Sequence, residues 1–212
     1  MAILNDGING GFRGKVGTVV GYELNGKWVI RKLPKLSKKN KRGTVAQNFQ
    51  RGKFKKLHLF LDHTFDFIRV GFNLEGKRKG LSAHNAAKSY NLRNAFTPEG
   101  EIDYNQVLVA SGKLATPLGY THAGDDIGIH FSWSYDKADA GGHARDQVML
   151  LAYSVKKKKS IKLLSGARRS AEKETLEIPK VFKGVTFHTW IAFISDDRES
   201  ISESRYVGEI KF

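Results

Sequence analysis

The chain has 212 residues, no cysteine, and 36 basic against 21 acidic side chains, a formal net charge of +15. Its length suits one large domain or two small ones, and its 40% hydrophobic content argues for a folded chain. Disulfides, thiolate nucleophiles and cysteine–zinc sites are excluded, and no apolar run approaches the ~18–20 residues of a membrane helix.

Met1–Gly7 lacks a basic region followed by an apolar stretch, so no signal peptide is expected. The expectation is a soluble protein kept in the cytoplasm or carried within a phage-like particle. Its charge is uneven. Residues 1–105 hold 20 basic and 8 acidic side chains, a surplus of +12, whereas residues 106–212 hold 16 and 13, a surplus of +3. From Lys27 to Lys56 there are 12 basic residues and no acidic one. Such asymmetry points to a polyanion partner.

In chain order, the opening is punctuated by Gly10, Gly11, Gly14, Gly17 and Gly21. Lys15–Leu24 alternates, with Val16, Thr18, Val20 and Tyr22 on one side. Asn25-Gly26 then precedes Lys27-Trp28-Val29-Ile30-Arg31. Asn-Gly between two β-rich runs marks a hairpin, expected over residues 15–33, because both turn positions need positive φ. Tyr22 and Trp28 are its expected anchors. Lys35–Gly43 reads as a basic linker, and Thr44 as the cap of a helix. From Val45 to about Val70 the positions Phe49, Phe54, Leu57, Leu61 and Ile68 recur at helical spacing. Phe72–Gly80 reads as a loop or short extended stretch. Ser82 caps a second helix, Ala83–Asn94, and Ile102–Val109 reads as a strand.

Beyond Ser111 the pattern is all-β. Expected strands are Lys113–Ala115, Ile127–Tyr135, Gln147–Val155, Lys159–Leu164, Glu174–Ile178, Val185–Ile194 and Arg205–Phe212. Ile129, Phe131 and Trp133 alternate strictly with His130, Ser132 and Ser134. About seven short strands imply a two-sheet sandwich.

Catalytic motifs fail on inspection. Gly14-Lys15 is followed by Val16 where a phosphate loop needs Ser or Thr, so close backbone approach accounts better for the glycines. His58 and His63 are five apart and do not stack on one helical face, and no acid completes a zinc-hydrolase pattern. No serine lies in a Gly-x-Ser-x-Gly elbow, and Asp125-Asp126 and Asp196-Asp197 read as solvated turns. No catalytic residue, metal site or cofactor is expected.

The candidate site is the basic segment: Arg31, Lys32, Lys35, Lys38, Lys39, Lys41, Arg42, Arg51, Lys53, Lys55 and Lys56. Side chains of this kind contact phosphates with salt-dependent affinity and little sequence specificity.

The ordered motifs also resemble a known family. Gly11-Phe12-x-Gly14-Lys15-Val16-Gly17-x-Val19-Val20-Gly21-Tyr22, Gly26-Lys27-Trp28 and Thr44-x-x-Gln47-x-x-Gln50-Arg51-x-x-Phe54 are similar to domain-of-unknown-function family 6266, which the resemblance places mostly in Bacteroidota. Ser82-Ala83-x-Asn85-x-Ala87-x-Ser89-Tyr90, Val148–Tyr153 and Gly166-Ala167-x-Arg169-Ser170 continue it. The family implies no established activity, cofactor or site residues. Separately, the C-terminal half resembles a fibronectin type III or immunoglobulin-like sandwich, carried by Trp133 and the long runs 147–155 and 185–194.

The sequence reading is therefore α+β: a basic unit, residues 1–110, of a β-hairpin plus two helices, then an all-β sandwich, residues 111–212. The expected function is a non-enzymatic module whose basic half contacts a polyanion, most plausibly nucleic acid, while the sandwich contacts other protein subunits. The alternative is a structural subunit of a phage or mobile-element particle. No membrane partner is expected.

Overall fold

The hairpin read over residues 15–33 is part of a four-stranded antiparallel meander: β1 (Ala2–Leu4), β2 (Phe12–Val16), β3 (Val19–Leu24) and β4 (Lys27–Lys32). The computed structural model describes residues 2–4, 10–24, 26–33, 42–136 and 142–212. Leu24 pairs with Lys27, the closing register expected of this hairpin, while Asn25 of the expected turn lies outside the described residues. Lys15–Leu24 is two strands, with Val16 paired to Val19 across a tight turn at Gly17-Thr18. Gly17 has φ +55° there, which breaks the run that alternation alone would continue. Gly11 lies directly beneath the Trp28 ring, so there the close approach is by a side chain; at Gly21 a Cβ would collide with the Phe12 carbonyl, the backbone approach expected.

The described chain forms two compact units that divide between Gln47 and Asn48. The first unit ends inside the helix α1 (Val45–His63). Thr44 and Gln47 form a reciprocal capping box at its start: Gln47 N–H donates to Thr44 Oγ1 at 3.2 Å, and Thr44 N–H donates to Gln47 Oε1 at 3.0 Å.

In the second unit, α1 stops earlier than the periodicity suggests. Thr64 is buried, and its hydroxyl donates back to the Phe60 carbonyl at 2.9 Å. The helical stripe continues as α2 (Phe65–Gly71). Residues read as a loop form α3 (Asn73–Lys79), held by Glu75 pairing with Arg78 and Lys79 and ended by Gly80 at φ +64°. Helix α4 (Ala83–Asn94) is where expected, with Ser82 Oγ accepting from Asn85 N–H.

Residues 102–109 form no strand. Instead, Val107–Ala110 is buried and distant side chains serve its backbone. Asn91 bonds both the N–H and the carbonyl of Leu108, Ser204 Oγ accepts from Val109, and Trp190 Nε1 donates to Val107. These contacts satisfy polar groups that a neighbouring strand would otherwise serve.

Seven strands follow: β5 (Leu118–Gly124), β6 (Gly128–Ser134), β7 (Gln147–Ser154), β8 (Lys159–Leu163), β9 (Lys173–Glu177), β10 (Thr186–Ile194) and β11 (Arg205–Lys211). They form two antiparallel sheets, ordered β5-β6-β9 and β11-β10-β7-β8. The first differs from expectation. Residues 113–115 make only a single bridge, Leu114 to Ser202, and the strand lies at 118–124. Its polar, glycine-containing run LGYTHAG is mostly exposed at a sheet edge, so hydrophobic patterning does not mark it.

The larger sheet is covered on both faces. Val148, Leu150, Phe187, Ile191 and Phe193 pack against Ile129, Phe131 and Trp133 of β6. The alternate residues Met149, Leu151, Tyr153, Trp190 and Ala192 pack against Leu57, Phe60, Leu61 and Phe67 of the helices. The second unit is thus three layers: helices, a four-stranded sheet and a three-stranded sheet. No helix among the described residues is long and apolar enough to cross a membrane.

Candidate polyanion-binding surface

Lysine and arginine reach phosphates only if their heads are exposed and their charge is not already neutralised. Arg31 and Lys32 lie on β4 and are exposed, with the Arg31 guanidinium 5.9 Å from the centre of the Tyr22 ring. Arg42 is exposed just before the α1 cap. Lys35, Lys38, Lys39 and Lys41 fall outside the described residues.

On α1 the basic side chains divide. Arg51 and Lys55 are exposed, and Arg51 donates to Asn48 Oδ1 at 3.4 Å. Lys53 is half-buried, its ammonium 4.7 Å from the centre of the Phe96 ring and 5.8 Å from that of Phe49. Lys56 pairs with Glu101 and donates to the Gly100 carbonyl at 3.1 Å. Lys53 and Lys56 therefore also fasten the 96–101 turn to the helix.

The fold adds cations that the sequence reading noted but did not assign. Lys156–Lys158 lie in the β7–β8 turn and Lys159 opens β8; all four are exposed, with Lys158 at φ +52°. Lys158 and Lys56 line the same cleft of about 270 Å³, above Phe60, Tyr104 and Tyr153. On the other side, Lys156, Lys157 and Lys183 border a hollow of about 390 Å³ with His188 and Glu209. The only signal in the sequence was the lysine run itself; its position beside α1 comes from the packing of α1 on β7.

Three other polar arrays bring titratable groups together. Asp125 Oδ2 lies 2.7 Å from His130 Nε2, and His130 Nδ1 lies 2.8 Å from Thr175 Oγ1. The hydrogen bond from His130, helped by the N–H groups of Gly128 and Ile127, holds the Asp125 carboxyl down at about 2. His130 and Thr175 face each other across the β6–β9 ladder, and Asp125 closes the β5–β6 turn, so sheet register produces this array. It borders a hollow of about 650 Å³ on the outer face of the smaller sheet. Arg169 and Asp146 form a buried ion pair at 3.1 Å, with the guanidinium 3.8 Å from the centre of the Phe193 ring. Trp133 Nε1 donates to the Arg169 carbonyl at 2.7 Å, tying this pair to the sandwich core.

A third group joins α1 to α4. His58 and Asp62, one helical turn apart, meet His84 from the first turn of α4. Asp62 Oδ1 lies 3.5 Å from His58 Nδ1 and 3.7 Å from His84 Nε2. Along the sequence His58 neighbours His63; only the packing of α1 on α4 brings His84 near.

A comparison with curated proteins found no match. A family model described as a family of unknown function (DUF6266) matches residues 11–208, nearly the whole chain. The chain therefore belongs to domain-of-unknown-function family 6266.

Proposed function

We propose that the protein is a non-enzymatic binding module whose exposed cations contact a polyanion, with nucleic acid the favoured class. The observation that carries this reading is the run of four exposed lysines, Lys156–Lys159, beside the basic end of α1. Arg51 and Lys55 on α1 add further exposed positive charge to this unit, and Arg31 and Lys32 are exposed on β4 of the first unit, each unit taken by itself. A surface of this kind neutralises phosphates without reading bases, so binding should be tight at low salt and fall steeply as salt rises.

The test is retention on immobilised heparin and fluorescence titration of a labelled DNA over a salt series. Replacing Lys156–Lys159 together by Ser should flatten the slope of log K against log salt by about 0.9 for each lost phosphate contact. Absence of binding at low salt would overturn the proposal.

The sandwich is the proposed protein-contact element. Its seven strands in a three-and-four arrangement, with Trp133 buried on β6, support a fibronectin type III-like reading. It differs from the constant-type immunoglobulin order in that β8 pairs with β7 instead of joining β9.

A second reading, a structural subunit of a larger particle, is favoured by a separate observation. Val16, Leu24, Trp28 and Ile30 on β2–β4 are each more than 40% exposed. Apolar side chains left uncovered on a thin sheet are suited to burial against neighbouring subunits. Light scattering at high protein concentration separates the two: particles or filaments support assembly, and a monomer throughout argues against it.

A further inference from the structure

The group formed by His58, Asp62 and His84 has features that a salt bridge does not explain. His84 Nε2 is sealed from solvent and has no hydrogen-bond partner among the described residues. An orphaned buried nitrogen is costly and needs an account. The distance to Asp62 Oδ1, 3.7 Å, is too long for a hydrogen bond. It is also shorter than the ~4.6 Å expected for two atoms bridged by one water through ~2.8 Å hydrogen bonds at a tetrahedral angle. Two ligands of a tetrahedral ion at bond lengths of ~2.0–2.1 Å stand ~3.3–3.4 Å apart. The observed 3.5 and 3.7 Å are close to that spacing, and all three ligand atoms lie within 4.8 Å of one another.

We propose that His58, Asp62 and His84 bind one divalent transition-metal cation of the zinc class, which clips α1 to α4. Two imidazoles and one carboxylate suit zinc, cobalt, nickel or iron, and they do not suit magnesium or calcium, which prefer all-oxygen shells. The geometry is built by two rigid elements. His58 and Asp62 share one face of α1 through their spacing of four, and Ser82 caps the turn of α4 that carries His84.

Neighbouring rings close one side: the rings of His58 and His84 meet edge to face at 5.6 Å, with Phe54 beside His58 and Phe65 beside His84. The half-exposed His58 and Asp62 leave the other side open for water as a fourth ligand. Burial holds the His84 imidazole towards its neutral form, the form that ligates. Lys88 opposes the cation, but its ammonium sits over the Phe54 ring at 4.6 Å, and the Asp62 carboxylate offsets it at the site.

The test uses the full, untagged chain after chelator treatment. Calorimetric titration with zinc chloride should show one equivalent bound. Cobalt chloride should give the visible absorption of a four- or five-coordinate nitrogen and oxygen site. Long-range imidazole NMR should shift His84 Nε2 and His58 Nδ1. The exposed variants Asp62→Asn and His58→Ala should keep the circular dichroism of the parent. Each should weaken zinc by more than the roughly 10–100-fold that loss of an outer-shell partner costs. His63→Gln should bind as the parent does, and millimolar magnesium or calcium should not compete. The proposal is overturned by the absence of stoichiometric binding, by affinity unchanged in Asp62→Asn, or by equal loss in His63→Gln.

Discussion

The protein contains two four-stranded antiparallel sheets that share a hydrogen-bond pattern and differ in burial. In β1–β4 the described side chains are exposed or half-buried, apart from Gly21. In β11-β10-β7-β8 the central strands β7 and β10 are buried along almost their whole length. Both ladders satisfy backbone groups, but a ladder mostly replaces bonds that water would make, so its net contribution is small. The difference in stability must come from apolar area, which the second sheet buries on both faces and the first does not.

Several measurements can break that comparison, and the largest effect belongs to the doubly covered sheet. Trp190→Ala removes a fully buried side chain at the centre of the helix-facing core and should cost about 3–5 kcal/mol in urea unfolding. For a chain of this size that lowers the melting temperature by about 6–20 °C. Trp28→Ala, at 41% exposure, should cost about 1 kcal/mol or less. Equal losses from the two tryptophans would show that the first sheet has a core after all.

Next in size is the buried pair beneath the sandwich. Asp146→Ala removes the buried carboxylate that accepts from Arg169 Nε at 3.1 Å and from the His143 N–H at 2.9 Å, and should destabilise by about 1–3 kcal/mol. Breaking the exposed pair with Lys183→Ala should leave the unfolding curve unchanged. A Ser82→Ala substitution should cost about 1 kcal/mol through loss of the α4 cap.

The smallest effect is a pH dependence. Arg78 and Lys79 hold the Glu75 carboxyl down at about 2, from an ordinary 4.5. Because the folded value is the lower one, this contribution is complete above about 4.5 and is lost as pH falls towards about 2. Glu75→Gln should therefore flatten that part of the stability profile and leave stability at lower pH unchanged.

Legibility in the sequence followed the range of the interaction. The β3–β4 pairing, the Thr44 and Ser82 caps and the strict alternation of β6 rest on neighbours within a few positions, and each is readable. The runs Val148–Tyr153 and Thr189–Ile194 were readable as strands, and their lack of alternation also carried the sign of a sheet covered on both faces. That sign went unused because a short apolar run does not say what covers it. Helix α3 was missed because the segment is polar and charged, and its support from Glu75 is an ion-pair effect that leaves no apolar stripe.

For the candidate site, the basic residues were plain in the composition, but their division into exposed and committed cations was not. Glu101 and Phe96, which engage Lys56 and Lys53, lie more than 40 positions away. By itself, then, the sequence determined the charge surplus, the caps and turns, and six of the seven sandwich strands. These depend on residue type and local spacing. Only tertiary structure decided that the helices share a core with the larger sheet, that Lys156–Lys159 stand beside α1, and that His84 meets His58 and Asp62. Each of those depends on which face of one element packs on which face of another, and long-range packing sets that choice.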